Sequence, residues 1–176
     1  MNRIHKYRAK RLSSNDWVYG NIVYTDELSP AIYFQVGKGS VKSIDFVYVK
    51  PDTICEFSNV YDKNGQEIYE GDIIEFYVLR SYCINPDCEP HLLGYGMRMD
   101  KVTGIVTFAD GMFGVENNYG MISICGCGFR ETEKEDLKNE ISDPYFDYDL
   151  NECNINDVDS LIGVKVIGNI YSTNFI

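Results

Sequence analysis

Cysteine and histidine hold the sharpest chemical options in this chain, and there are six of the first and two of the second. Cys83 and Cys88 bracket four residues, Cys125-Gly126-Cys127 forms a second pair, and His91 follows the first. Zinc takes four tetrahedral thiolate or imidazole ligands, usually from two Cys-x2–4-Cys knuckles. The first pair fits the long end of that spacing, whereas Cys-x-Cys is a less common knuckle. Free thiols are the favoured reading, with a zinc site as the alternative. Cys55 and Cys153 have no partner in sequence and read as small core or surface residues.

A thiol or hydroxyl nucleophile needs a base within reach. His5 lies in a basic segment, and no Gly-x-Ser-x-Gly elbow occurs. Cys83 or Cys88 with His91 is the remaining dyad, and nothing in the local sequence positions it. Carboxylates cluster at Asp143, Asp147, Asp149, Glu152, Asp157 and Asp159. Asp147-x-Asp149-x-Asn151 echoes the opening of a calcium loop. Glu152 stands where such a loop needs glycine, however, and Val158 where it needs a bidentate glutamate. A solvated acidic surface is the better reading. Gly37-Lys38-Gly39-Ser40 lacks phosphate-loop spacing and reads as a hairpin turn. No catalytic set, metal site or cofactor is predicted.

Charge decides the next question. The chain carries −11 overall, which repels nucleic-acid phosphate. Residues 1–12 nevertheless hold Arg3, Lys6, Arg8, Lys10 and Arg11 without an acid, while 131–159 hold eleven acids against Lys134 and Lys138. Cations at Lys6, Arg8 and Lys10 beside Tyr7, Trp17 and Tyr19 could let phosphate and bases bind together. Single-stranded nucleic-acid binding by this basic hairpin is therefore an alternative function. The favoured reading is a charged edge strand that resists aggregation.

These side chains must be placed by a strand-rich body. Fourteen tyrosines and nine phenylalanines suit pleated, half-buried surfaces. His5 to Arg11 alternates with period two, and after the turn cluster Ser13–Asp16, Trp17 to Thr25 completes a hairpin. Ala31–Val36, Ile44–Val49 and a short Thr53–Phe57 are further strands, with Pro51 ending the second of these. Asp62-Lys63-Asn64-Gly65 and Asp110-Gly111 are strong turns. Glu70-Gly71-Asp72 makes a tight corner before the apolar run Ile73–Val78. Val102–Phe108, Phe113–Glu116, Met121–Cys125 and Val164–Tyr171 complete the strands. Glu133–Ile141 is the best helix, capped by Thr132 with Glu135, and Asp157–Ile162 is a second short one. The spacing predicts a mainly β, β-rich α+β fold: a small, partly open SH3-like or related barrel with extra strands and one or two short helices. One domain spans 1–176, with a loop or insertion at 80–100 and an acidic, partly helical insertion at 128–160.

Three islands then carry a resemblance. They are Lys6-Tyr7-Arg8-Ala9-Lys10 with Trp17-Val18-Tyr19-Gly20, then Asp62 through Ile74, then Val166-Ile167-Gly168-Asn169-Ile170-Tyr171. In this order they resemble the YopX family, at the start, middle and end of the chain. The resemblance implies a small phage or prophage protein with no established enzymatic activity and a tendency to form homo-oligomers. The cysteine-bearing segment near 83–91 and the acidic stretch 131–159 fall outside the family pattern.

Met1 to Arg11 is basic but precedes no apolar run, so no signal peptide is expected. No segment is apolar enough for a membrane span. Reduced cysteines in a cytoplasmic protein follow from this reading. The expected function is a non-enzymatic accessory protein acting through contact with itself and with a host or phage protein partner. A metal-dependent enzyme using the cysteine or acidic cluster is the second alternative.

Overall fold

Tyr7–Lys10 forms strand β1, as the alternation predicts, but it does not lie at an edge. The computed structural model describes residues 4–24, 29–37, 42–83, 95–117, 120–141 and 161–172. Within them, β2 (Trp17–Val23), β3 (Ala31–Val36), β4 (Ser43–Tyr48), β5 (Cys55–Tyr61) and β6 (Glu67–Tyr69) join β1 in one antiparallel sheet. Its order is β4-β3-β2-β1-β5-β6, so β1 is paired on both sides. A second antiparallel sheet has the order β10-β9-β8-β7-β11. It contains β7 (Asp72–Cys83), β8 (Tyr95–Ala109), β9 (Met112–Asn117), β10 (Gly120–Ser123) and β11 (Lys165–Asn169).

The edge-strand expectation for residues 5–11 is thus overturned. Local alternation reports that one face is charged. It cannot report that acids sixty residues downstream fold onto that face and allow it to be buried.

Strands β1 to β5 curl into a partly open barrel. Beyond β1 and β4 the chain meets itself at one antiparallel bridge, Arg11 to Val49. Leu12 N donates to Tyr48 O at 3.0 Å, and Lys50 N to Lys10 O at 2.9 Å. A 3-10 turn at Pro51–Thr53 then feeds β5. Proline at the start of that turn loses nothing, because its missing N–H would have been unpaired there. Ala9, Val18, Ile32 and Val49 fill the interior. The strands of the described residues do not close the barrel fully, which agrees with the β-rich α+β expectation.

The second sheet buries Ile74, Phe76, Val102, Val106, Phe113 and Val115 together with Ile68 of β6. The hairpin β5–β6 therefore belongs to one sheet by hydrogen bonds and to the other by its core contacts.

Both predicted turns form, in different ways. At Asp110-Gly111 both residues have positive φ, 52° and 79°, the two-residue turn that matches strand twist. At Asp62–Gly65 only Gly65 has positive φ. The Asp62 carboxylate shapes this turn, accepting from Asn64 N at 2.8 Å and Gln66 N at 2.9 Å.

Other boundaries move. Of the loop expected at 80–100, β7 runs to Cys83 and β8 starts at Tyr95, with those two residues paired. Residues 84–94 lie outside the described residues. The helix α1 spans Lys134–Ile141, preceded by a 3-10 turn at Glu131–Glu133. Its start is not capped by Thr132. Instead the Glu133 carboxylate accepts from Arg130 N at 2.7 Å. Residues 142–160 lie outside the described residues, and with them most of the expected second helix and of the acidic insertion. Among the described residues no helix is long and apolar enough to cross a membrane.

Gly20 shows how closely β2 and β3 approach: a Cβ there would lie 2.1 Å from Tyr33 O. Gly20→Ala is expected to lower stability by about 1–3 kcal/mol through overpacking. Urea unfolding, followed by the fluorescence of the single tryptophan, measures it; an unchanged midpoint would contradict the packing described.

Candidate functional site

The three sequence islands meet at one buried ion pair between the sheets. Arg8 projects from β1, Asp72 opens β7 and Asn169 ends β11. Arg8 Nη2 donates to Asp72 Oδ1 at 2.6 Å, with side-chain exposures of 7% and 1%. The carboxylate is saturated by neighbours: Oδ1 also accepts from Asn169 Nδ2 at 3.1 Å, and Oδ2 accepts from Tyr69 N at 2.8 Å. Arg8 lies between two rings, its guanidinium carbon 4.7 Å from the Trp17 centroid and 4.6 Å from that of Tyr69. Planar guanidinium stacks well in such a slot, where an ammonium would not.

The local sequence builds this seat. Gly71, at φ 77°, turns the chain so that its N–H donates to Val106 O at 2.8 Å. Gly71 O accepts from Ile170 N and from Asn169 Nδ2, both at 3.0 Å. Asn169 Oδ1 in turn accepts from Tyr171 N at 2.9 Å. Asp72 emerges from the corner already aimed at β1.

The other cations on the same face also find partners. Lys6 Nζ contacts both oxygens of Glu67 at 2.6 Å, and Lys10 Nζ donates to Tyr171 O at 2.6 Å. The Tyr171 ring meets Trp17 edge-on, centroids 6.0 Å apart. The face read as a charged edge strand is paired instead, buried at Arg8 and half-buried at Lys6 and Lys10.

Titration follows from this packing. Burial pushes the Cys55 thiol up to about 11, against the pull of Arg8. Burial, then the hydrogen bond to Glu67, pushes the Tyr69 phenol far above its usual range. Partial burial acts to raise the Glu67 carboxyl, but hydrogen bonds from Lys6 and Tyr69 outweigh it and hold the group below its usual range. Two clefts of about 430 and 730 Å³ lie elsewhere; Tyr77, Phe129 and Leu137 help line the first, Tyr61, Lys63 and Arg130 the second. Neither is lined by Arg8, Asp72 or Asn169.

The sequence-level candidates are dispersed. Cys127 is buried, donates its S–H to Ser123 O at 3.3 Å, and is pushed up to about 12 by burial with a further rise from Cys125. Cys125 is exposed. Cys83 ends β7, while Cys88, His91, Cys153 and the acids at 143–159 lie outside the described residues. Among the described residues no three His, Cys, Asp or Glu side chains gather as a metal site. His5 is exposed, 3.7 Å from Glu56. Gly37 follows β3 and leads toward β4, whose pairing of Val36 with Ser43 agrees with the expected hairpin. Sequence reasoning missed the partnership of Arg8, Asp72 and Asn169. Each belongs to a different island, and that shared membership was the one signal available.

Asp72→Ala leaves Arg8 buried without its counter-charge and is expected to cost about 3–5 kcal/mol in urea unfolding. Lys6→Met, at a half-exposed pair, is expected to cost under about 1 kcal/mol. Equal effects would contradict the buried ion pair. Maleimide labelling at neutral pH with peptide mapping should modify Cys125 and spare Cys55 and Cys127 until denaturant is added; early labelling of the latter two would contradict their burial.

A family model described as YopX protein matches residues 6–174. No curated protein matches the chain. Among solved structures it is similar to protein EF1440 from Enterococcus faecalis. That similarity has 21% identity and a TM-score of 0.43, covering 96% of this chain and 94% of that one. With the matched span running across all three islands that converge on Arg8 and Asp72, the chain belongs to the YopX protein family.

Proposed function

We propose that this protein is a non-enzymatic accessory protein of a phage or prophage, working in the bacterial cytoplasm by contact with itself and with other proteins. One observation carries the reading. The face of the first sheet that bears Arg8 continues beyond the ion pair as an open apolar surface. In an antiparallel ladder, directly opposed residues share a face. Register therefore carries this face from Arg8 to Tyr19 and Val23 on β2, to Tyr33 on β3, and to Ile44, Phe46 and Tyr48 on β4. Ile44 is 77% exposed, Phe46 48% and Tyr48 37%.

The rings are ordered by one another. Tyr33 stacks on Phe46 with centroids 5.3 Å apart, and Phe46 meets Tyr48 edge-on at 5.7 Å. The exposed parts of Tyr19, Val23, Ile44, Phe46 and Tyr48 together leave an apolar surface on the order of a few hundred Å² open. A patch of that order is the size of the largest apolar patch on a typical monomer, and such patches are often functional. Aromatic anchors of low rotamer entropy suit protein interfaces.

The nucleic-acid alternative draws less support. Its three cations, Lys6, Arg8 and Lys10, are bound to Glu67, Asp72 and Tyr171 O. Engaging phosphate would mean giving those bonds up.

Phe46→Glu places a charge at the centre of the patch. Sedimentation equilibrium is expected to show assembled wild-type protein and a variant whose association constant is at least about thirtyfold weaker, the scale of a central hot spot. Wild-type protein that stays monomeric, together with captured partners indifferent to Phe46→Glu, would overturn the reading.

A further inference from the structure

We propose that β4 is a docking edge for an extended, basic segment of a partner protein, which joins the six-stranded sheet as an added strand. This rests on the protein-binding reading above and names the kind of segment the face accepts. Among the described residues β4 is an outermost strand, and of the outer strands β4, β6, β10 and β11 described there it alone carries three large exposed apolar side chains.

Its backbone directions are fixed by its neighbours. Val49 N donates inward to Pro30 O at 2.9 Å. Alternation along the strand therefore turns the N–H groups of Ile44, Phe46 and Tyr48 outward. Tyr48 O already accepts from Leu12 N at 3.0 Å, so the open stretch is Ser43–Val47. The outward N–H of Phe46 is taken by the carboxylate of the residue before it, Asp45 Oδ1, at 2.8 Å. An acceptor thus stands where the carbonyl of an added strand would lie.

Three chemical demands follow from this edge. Unpaired backbone groups call for an extended chain, as in strand addition. Ile44, Phe46 and Tyr48 call for apolar side chains at every second position on their face. Asp45, once an incoming carbonyl takes the Phe46 N–H, is released to pair with a cation at the intervening positions. The net charge of −11 favours approach of a basic segment to the molecule as a whole, and Asp45, the one acid of β4, selects it at this edge. The segment that meets all three demands alternates basic and apolar residues.

The test uses fluorescein-labelled Lys-Val-Lys-Val-Lys-Val-Lys and its Glu-for-Lys counterpart, with anisotropy read against the full chain at low salt. Saturable binding of the lysine peptide is expected, at least tenfold tighter than the glutamate peptide. Ile44→Pro removes an outward N–H that no ladder bond uses, a place where edge strands tolerate proline, and is expected to weaken binding about tenfold. Asp45→Lys is expected to reverse the peptide preference, which holds the test open should Ile44→Pro unfold. No saturable binding, indifference to both substitutions, or equal binding of the two peptides overturns the proposal. If neither peptide binds while Phe46→Glu still abolishes self-association, the docking edge is refuted, the occupant of the face is a second copy, and the broader reading stands.

Discussion

Arg8 and Asp72 come from opposite sheets and meet at 2.6 Å with almost no water contact. Two charges taken out of water lose several kcal/mol of hydration each, and mutual attraction offsets this only when the remaining donors and acceptors are also satisfied. Here Tyr69 N and Asn169 Nδ2 complete the carboxylate, and two rings cover the guanidinium. One buried side-chain atom among the described residues, Arg8 Nε, has no hydrogen-bond partner. An arrangement with so little tolerance selects one way for the sheets to meet. The net contribution of such a pair to stability is small, whereas losing one member leaves a buried charge uncompensated. A docking that buried Arg8 or Asp72 without the other would strand a charge.

The rest of the architecture follows from that junction. Gly71 is needed because Asp72 must leave a corner pointing at β1, and Asn169 because the corner's carbonyl and the carboxylate need a shared donor. On the same face Lys6 pairs with Glu67 of β6 within the first sheet, and Lys10 reaches Tyr171 O beyond β11. The same face then emerges from cover and becomes the aromatic surface on β2 to β4. Tyr19, whose ring lies 5.9 Å from that of Tyr69, links the buried half to the exposed half. A surface anchored at one end to a rigid seam is preorganised, which reduces the ordering cost of binding.

Much of this was legible in the residues. Ala31–Val36 is a strand with the bounds its composition predicts, and Asp110-Gly111 makes the two-residue turn its side chains favour. The islands that resemble the YopX family mark the residues that converge, although nothing local shows that they converge on each other. The errors have a common physical source. The charged alternation of residues 5–11 is that of an edge strand until its distant acids are known. The helix start shifts because Glu133 reaches back to Arg130 in place of a Thr132 cap. Gly96 reads as a loop residue, yet long-range pairing of β7 with β8 holds it in a strand. The two neighbouring thiols of Cys125 and Cys127, equivalent in sequence, separate into one exposed and one buried.

Native-state hydrogen exchange across a urea series tests the junction most directly. If the Arg8–Asp72 seam makes the two sheets one cooperative unit, amides of β1 and β5 open with the same free energy and urea dependence as those of β7 and β8. Exchange of β1 through β5 at a distinctly lower free energy, with β7 and β8 still protected, would show that the sheets stand independently and that the seam is incidental.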